Sequence, residues 1–426
     1  MKEVILKVGL MLVAAGIMTA CSSSDNENKS ADCNDDTVLD LTVPVQSIQL
    51  TTEQRAFVNM NNDFSFNLFR AVTSSEAAGK SVITSPLSVT YLMGMLNDGA
   101  AGTTAEEITK VLGFGNDDKA AINAFSQALI KQAPVQDPRV ELQIANIVAA
   151  NQGIELEEAF QQDMKDYYEA EAVTLDFSQK SSLDYLNGWC KEKSNGMIPS
   201  IIEQLSAEDK LVLMNAIYFK ATWQYYFEKK NTRNEAFTLA NGNTKDVPMM
   251  QRKALLNYGK NSAYSAIRLP YSVGLWNMDI LLPEKGKTVE DIIKNLSASS
   301  WSRSLFGQTA KVDIRLPRFK TESEINLNKV ISSLGAPSMF DPKAANFSLI
   351  SKNDKNLCVG LMKQKAAIDV NEEGAEASAV TTAQLVGGTG ENEIKEVDFH
   401  ANHPFVYIIS ESTSGAIFFI GSYLGD

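Results

Sequence analysis

Two histidines, His400 and His403, are the only imidazoles in this chain of 426 residues, and both lie near its C-terminal end. A Ser–His hydrolase would have to use one of them, because imidazole is the side chain that takes and returns a proton near neutral pH. No Gly-x-Ser-x-Gly elbow lies nearby to supply a nucleophile. His-Glu-x-x-His, paired Cys-x-x-Cys and Gly-x-x-x-x-Gly-Lys-Ser/Thr are absent too, which removes the commonest zinc and phosphate-binding chemistries. His403 precedes Pro404 and an apolar run, the setting of a structural histidine. Carboxylate pairs are plentiful, as in any acidic protein, and their spacing assigns none of them. No catalytic residue, metal ligand or cofactor is expected.

The stretch Asn371-Glu-Glu-Gly-Ala-Glu-Ala-Ser-Ala-Val-Thr-Thr-Ala383 offers a different chemistry. It is small-residued, free of proline, and without a large aromatic anchor as far as Gly390, so an exposed loop is predicted. Yet it alternates at strand period. Ala375, Ala377, Ala379 and Thr381 fall on one face, and Glu376, Ser378, Val380 and Thr382 on the other. Its uncharged face could enter a sheet as an extra strand without steric or desolvation cost. Taken alone, the stretch reads first as a flexible connector.

The elements around it are legible from periodicity and caps. Thr52 to Val72 has helical spacing marked by Phe57, Phe64, Phe66 and Phe69. Val82 to Leu92 reads as a short strand passing into a helix, with Ser85 as N-cap and Pro86 at the first helical position. Thr103-Thr-Ala-Glu-Glu-Ile is a capping signature, and helical patterns run on to about Lys131. Strands at Ile144–Ala149, Val173–Phe177 and Lys210–Phe219 then mix with helices at Leu156–Tyr168 and Ser182–Lys193. Beyond Glu235 strands dominate: Ile267–Leu269, Trp276–Leu282, Lys311–Phe319, Phe405–Ser410 and Ala416–Tyr423. No repeat or internal linker appears. One α+β domain over 52–426 is predicted, helix-rich early and sheet-rich late.

The N-terminus carries a separate message. A charged start with Lys2 and Lys7, an apolar run from Val8 to Met18, and Thr19-Ala20-Cys21 describe a secretory signal over 1–20, too short for a stable span. Cys21 after Met18-Thr19-Ala20 resembles the bacterial lipobox. That resemblance implies a diacylglyceryl thioether and an acylated amine on Cys21, a strong anchor. Residues 21–51, opening with the polar Ser22–Asp32, would be a lipidated flexible tether. The expected address is the outer membrane of a Gram-negative cell, on its periplasmic or its exterior face. Cys33, Cys190 and Cys358 are too scattered for a disulfide framework; Cys190, in an amphipathic segment, and Cys358, in a strand-like run, are predicted to be buried thiols. The net charge of −13 argues against nucleic acid or an anionic membrane surface as the main partner.

Several segments together resemble the serpin family of suicide protease inhibitors over essentially residues 52–426. Asn215-Ala-Ile-Tyr-Phe-Lys-Ala-Thr-Trp-Gln-Tyr-Tyr-Phe227 is similar to its central-sheet motif, and Leu186-Asn-Gly-Trp-Cys-Lys-Glu-Lys-Ser-Asn-Gly-Met-Ile198 to its helix-and-turn motif, with Ser194 where Thr is usual. Phe399-His-Ala-Asn-His-Pro-Phe-Val-Tyr407 resembles its C-terminal signature. Ser85-Pro-Leu-Ser88, Val247-Pro-Met-Met250, Leu269-Pro-Tyr271 and Leu316-Pro-Arg-Phe-Lys320 fall in the right order between.

The resemblance implies the serpin fold: three β-sheets, roughly eight or nine helices, and a reactive loop exposed above the main sheet. It implies a target protease as partner, attacking the loop, forming a covalent acyl complex and being trapped as the loop inserts into that sheet. It gives Glu372, Glu373, Gly374, Ala375, Ala377, Ala379 and Thr381 as the hinge. Ser85, Ser88 and Asn215 become the shutter beneath the sheet and Trp223 the breach at its top. Gln364 stands where the family commonly has a shutter His, so a titrating group is lost there. The family's usual spacing from Glu372 puts the scissile bond at Gly388-Thr389, with Leu385, Val386 and Gly387 as nearby alternatives. No Arg or Lys lies among them, which points to elastase-like or subtilisin-like serine proteases, with cysteine proteases as further candidates. A monomer is expected. The alternative is a non-inhibitory serpin-fold protein that binds a partner or is only a protease substrate.

Overall fold

The computed structural model describes residues 43–114, 119–301, 307–375 and 394–426. Eight α-helices occur among them: α1 (Thr52–Ser74), α2 (Pro86–Gly99), α3 (Gly102–Val111), α4 (Lys119–Gln132), α5 (Glu158–Tyr168), α6 (Lys180–Lys193), α7 (Val289–Asn295) and α8 (Asn328–Leu334). The strands of the first half are β1 (Val82–Thr84), β2 (Glu141–Asn151), β3 (Glu171–Leu175), β4 (Leu211–Thr222), β5 (Arg233–Thr238), β6 (Thr244–Lys260), β7 (Tyr264–Tyr271) and β8 (Trp276–Pro283). Those of the second half are β9 (Gln308–Pro317), β10 (Phe319–Asn326), β11 (Lys363–Val370), β12 (Gly374–Ala375), β13 (Glu396–His400), β14 (Phe405–Glu411) and β15 (Ile417–Tyr423). None of the described helices is long and apolar enough to cross a membrane.

Three sheets result. The main one has six strands in the order β10-β11-β12-β4-β2-β3. The other two share the long β6: its first part pairs with β5 and β9, which carries β13 alongside, and its end hands over to β7, β8, β14, β15 and β1. The second of these is the molecule's centre, since every residue of β8, β14 and β15 is buried. Against it lies α2, buried all round its circumference, as a helix without a polar face must be. Ser85 caps it by accepting the Ser88 N–H (3.4 Å) and Pro86 occupies its first turn, as predicted. A second apolar cluster, with Trp189 and Cys190 of α6 over Ile147 and Ala149 of β2 and Met214 and Ala216 of β4, covers the opposite face of the main sheet.

Some local expectations fail for tertiary reasons. The capping signature at Thr103 does not cap: α3 starts at Gly102, and Thr104 instead bonds Ser338 (3.1 Å) and accepts the Asn346 N–H (3.0 Å). Cys358 lies in an irregular stretch and is only half-buried, whereas Cys190 is buried as expected. The packed chain also begins before residue 52. Ile48 is buried, its N–H donates to Thr413 (2.9 Å), and the Gln46 N–H donates to the Gln136 carbonyl (2.9 Å). The end of the expected tether is therefore part of the core. Cys21, Cys33 and the expected signal segment over 1–20 lie outside the described residues.

Candidate functional site

The predicted hinge residues meet at the top of the main sheet, where β4 ends and the chain turns back from β11. Asn371 closes a tight turn by donating its N–H to the Gly374 carbonyl (3.0 Å), while its side chain accepts the Glu373 N–H (3.0 Å). This returns the chain as β12, two residues long, between β11 and β4: Ala375 stands opposite Val370 on one side and Ala221 on the other, and Gly374 opposite Thr222. Ala375 is buried in the main core, the face the alternation assigned to it. Gly374 has φ of 152°, and a Cβ there would sit 2.1 Å from the Ala221 carbonyl oxygen. Glycine is required by close backbone approach as well as by conformation.

Three donors from the end of β4 hold this turn. The Trp223 N–H reaches the Glu373 carbonyl (2.8 Å), its indole N–H the Asn371 carbonyl (3.0 Å), and the Phe227 N–H the Glu372 carbonyl (2.8 Å). Trp223 itself is fixed by stacking on Tyr271, with centroids 4.2 Å apart and planes 10° from parallel. Glu373 pairs with Lys229. Glu372, expected at the start of an exposed loop, is instead 1% exposed. Arg318 grips its carboxylate with two bonds, Nη2 to Oε1 at 2.5 Å and Nε to Oε2 at 3.1 Å, and the Thr232 hydroxyl donates at 2.6 Å. Burial alone would raise this carboxyl; Arg318 and Thr232 outweigh it and hold it below its ordinary value.

Below β12 the main sheet has a seam. Among the described residues no ladder joins β4 directly to β11. The gap holds a cavity of ≈ 10 Å³ between Ile217 and Phe219 of β4 and Ala367 and Ile368 of β11, floored by Ile409 and Phe419. That is room for about one water, so a further strand enters only if β4 and β11 part by roughly 4.8 Å.

Near the start of β11, Gln364 donates Nε2–H to the Ser85 carbonyl (2.8 Å) and accepts the Ser85 N–H (3.2 Å), satisfying both backbone groups between β1 and α2. Ser85, Ser88 and Gln364 thus form one buried group. Asn215 turns elsewhere: it donates to Asn146 Oδ1 (2.8 Å) and the Ala145 carbonyl (3.2 Å) on β2. Ala377, Ala379, Thr381, Leu385, Val386, Gly387, Gly388 and Thr389 lie outside the described residues. Arg318, Thr232 and Lys229 escaped the sequence reading; Arg318 sits in the Leu316–Lys320 motif, but nothing local marks a carboxylate partner 54 residues away. His403 lies within 3.3 Å of the Pro283 carbonyl, a structural setting.

A family model described as Serpin (serine protease inhibitor) matches residues 59–425. An uncharacterized serpin-like protein of Thermococcus kodakarensis is 34% identical over 87% of this chain and 85% of its own. Neuroserpin of Gallus gallus is 31% identical over 84% of this chain and 88% of its own. The solved structure of a thermophilic serpin, tengpin, in the native state superposes with a TM-score of 0.77 at 28% identity, covering 90% of this chain and 97% of that one. The chain belongs to the serpin family.

Proposed function

We propose that this serpin inhibits serine proteases by loop insertion. The observation that carries the reading is β12: Gly374 and Ala375 already sit between β4 and β11, at the head of a seam whose edges no ladder joins among the described residues. In this reading a protease serine Oγ attacks the carbonyl of Gly388, or of a neighbour between Leu385 and Gly387. The amine of the following residue leaves, and an ester bond remains. The freed strand then fills the seam in the register that Ala375 sets, carrying the acylated protease with it before water can cleave the ester. Uncharged, shallow side chains before Thr389 favour elastase-like or subtilisin-like enzymes, cysteine proteases being a further class. We place the protein as a monomer on a Gram-negative outer membrane, held by lipid on Cys21, on the strength of the Met18-Thr-Ala-Cys21 pattern.

The test is incubation with elastase-like and subtilisin-like proteases. An SDS-stable complex, cleavage between Leu385 and Thr389, and a melting temperature raised by tens of degrees after cleavage are expected. Cleavage without complex or thermal gain would leave a substrate or binding protein instead. Metabolic labelling with palmitate, lost in Cys21→Ala, tests the anchor.

A further inference from the structure

Asp98, near the end of α2, is a carboxyl group 7% exposed in the core of the helical layer. Asn123 of α4 donates to its Oδ1 (2.8 Å), and Oδ2 has no hydrogen-bond partner among the described residues. Asn123 Oδ1 accepts the Tyr168 hydroxyl (2.8 Å), which lies at the end of α5. That hydroxyl rests on α2 at Gly94, where a Cβ would stand only 2.3 Å away. The Tyr168 carbonyl accepts from Asn146 of β2 (2.7 Å), and Asn146 accepts from Asn215 of β4 (2.8 Å). Asn123, Tyr168, Asn146 and Asn215 are all buried. Two runs of hydrogen bonds, joined through the covalent frame of Tyr168 from its hydroxyl to its carbonyl, therefore link Asp98 to the strand that borders the seam.

We propose that Asp98 is a proton-operated control on the seam, its charge state passing through Asn123, Tyr168 and Asn146 to β4. As the neutral acid it is spared the cost of a buried charge, though its Oδ2–H still lacks an acceptor among the described residues. Ionised, it leaves one oxygen of a buried carboxylate unpartnered, and the α2–α4–α5 contact yields to let water in, freeing Asn146 and β4.

The surroundings support a transition in the physiological range. Burial pushes the Asp98 carboxyl up to about 7; the Asn123 bond opposes that, Asp163 of α5 adds to it and Lys119 of α4 opposes it. The phenols facing this site, Tyr91 of α2 and Tyr168, are themselves raised by burial and remain neutral there. The folded chain thus holds the proton more tightly than an opened one. Closure is fully favoured below the ordinary carboxyl value of 3.8 and weakens as pH climbs to about 7, after which it levels off.

The biological consequence rests on the inhibitory reading, since it concerns the seam that the loop would enter. The test reads β4 directly, so protease trapping could fail while this stands. Hydrogen–deuterium exchange of β4 peptides, corrected for intrinsic rates, is followed from pH 5 to 8.5 in the full chain. Protection in wild type should fall by about tenfold or more up to pH 7 and then flatten, tenfold being one unit of linked titration. The isosteric Asp98→Asn should show a flat profile. Tyr168→Phe should keep the pH dependence of the melting temperature but lose that of β4. A flat wild-type profile, or an unchanged slope in Asp98→Asn, overturns the proposal; a β4 profile that still follows pH in Tyr168→Phe overturns the relay.

Discussion

Replacing Gly374 with alanine should unseat β12 while leaving the rest of the fold intact. The new Cβ would lie 2.1 Å from the Ala221 carbonyl oxygen and 2.7 Å from the Thr222 Cα, and both are backbone atoms of β4, which cannot swing aside as a side chain could. Overpacking of this kind costs about 1–3 kcal/mol, and the left-handed φ adds about 1–2 kcal/mol for a residue with a Cβ. Against this stand the ladder bonds of a two-residue strand, at about 0.5–1.5 kcal/mol each, and the burial of one methyl on Ala375, about 0.8 kcal/mol. With two such bonds the gain is about 2–4 kcal/mol, and a penalty of about 2–5 kcal/mol cancels it, so β12 loses the net stabilisation that seats it. Glu372 remains clamped by Arg318, which confines the damage to residues 374 onward. Hydrogen exchange at Ala375 should rise to the rate of an open chain, the melting temperature of the uncut protein should barely move, and protease encounters should end in cleavage rather than trapping. Retained protection at Ala375 together with undiminished complex formation would refute the reasoning.

Arg318→Ala leaves a buried, half-satisfied carboxylate and should cost about 3–5 kcal/mol at the hinge, read as accelerated exchange of residues 371–375; adding Glu372→Gln should recover most of it. Because the Glu372 carboxyl is held below its ordinary value of 4.5, its contribution is present above that pH and lost as acid carries it through the depressed value. Hinge protection should therefore drop in acid, and Glu372→Gln should remove that dependence. Gln364→Ala strands the N–H of Ser85, whose carbonyl keeps the Val89 N–H (3.4 Å), and should lower stability by about 1–3 kcal/mol in denaturant melts. Gln364→His should introduce a new loss of stability as pH falls below about 6.5, since a doubly protonated imidazole cannot accept the Ser85 N–H.

What could be read without the structure was local or periodic. Ser85 and Pro86 announce the start of α2 within four residues, and Ala375, first of the small residues on one face of the stretch, is buried between β11 and β4. What could not be read depends on partners far away in the chain. Gln364 finds the backbone of Ser85 across 279 residues, and Asn215 prefers Asn146 on β2 to the Ser85 group the resemblance joined it to. Thr104, within the capping signature that opens at Thr103, is instead engaged by Ser338 and Asn346.

The acids at the hinge are the case where the structure changes the argument. Two glutamates before a glycine look like the solvated start of a flexible loop, and Glu373, paired with the exposed Lys229, partly behaves so. Glu372 does the reverse: its carboxylate is buried, gripped twice by Arg318, and its carbonyl is taken by Phe227. A residue fixed on both side chain and backbone cannot slide along β4, so it determines which residue first enters the sheet. In a strand a slip of one residue exchanges the two faces. With Glu372 clamped, Ala375 faces the core; if the loop inserts, period two would carry Ala377, Ala379 and Thr381 to the same side, whereas a slip by one would drive Glu376 and Ser378 inward, and an unpaired carboxylate in that core would stop insertion. In the insertion reading the clamp would set the register before the loop is cut, a use for a buried charge at a place where sequence alone suggests only mobility.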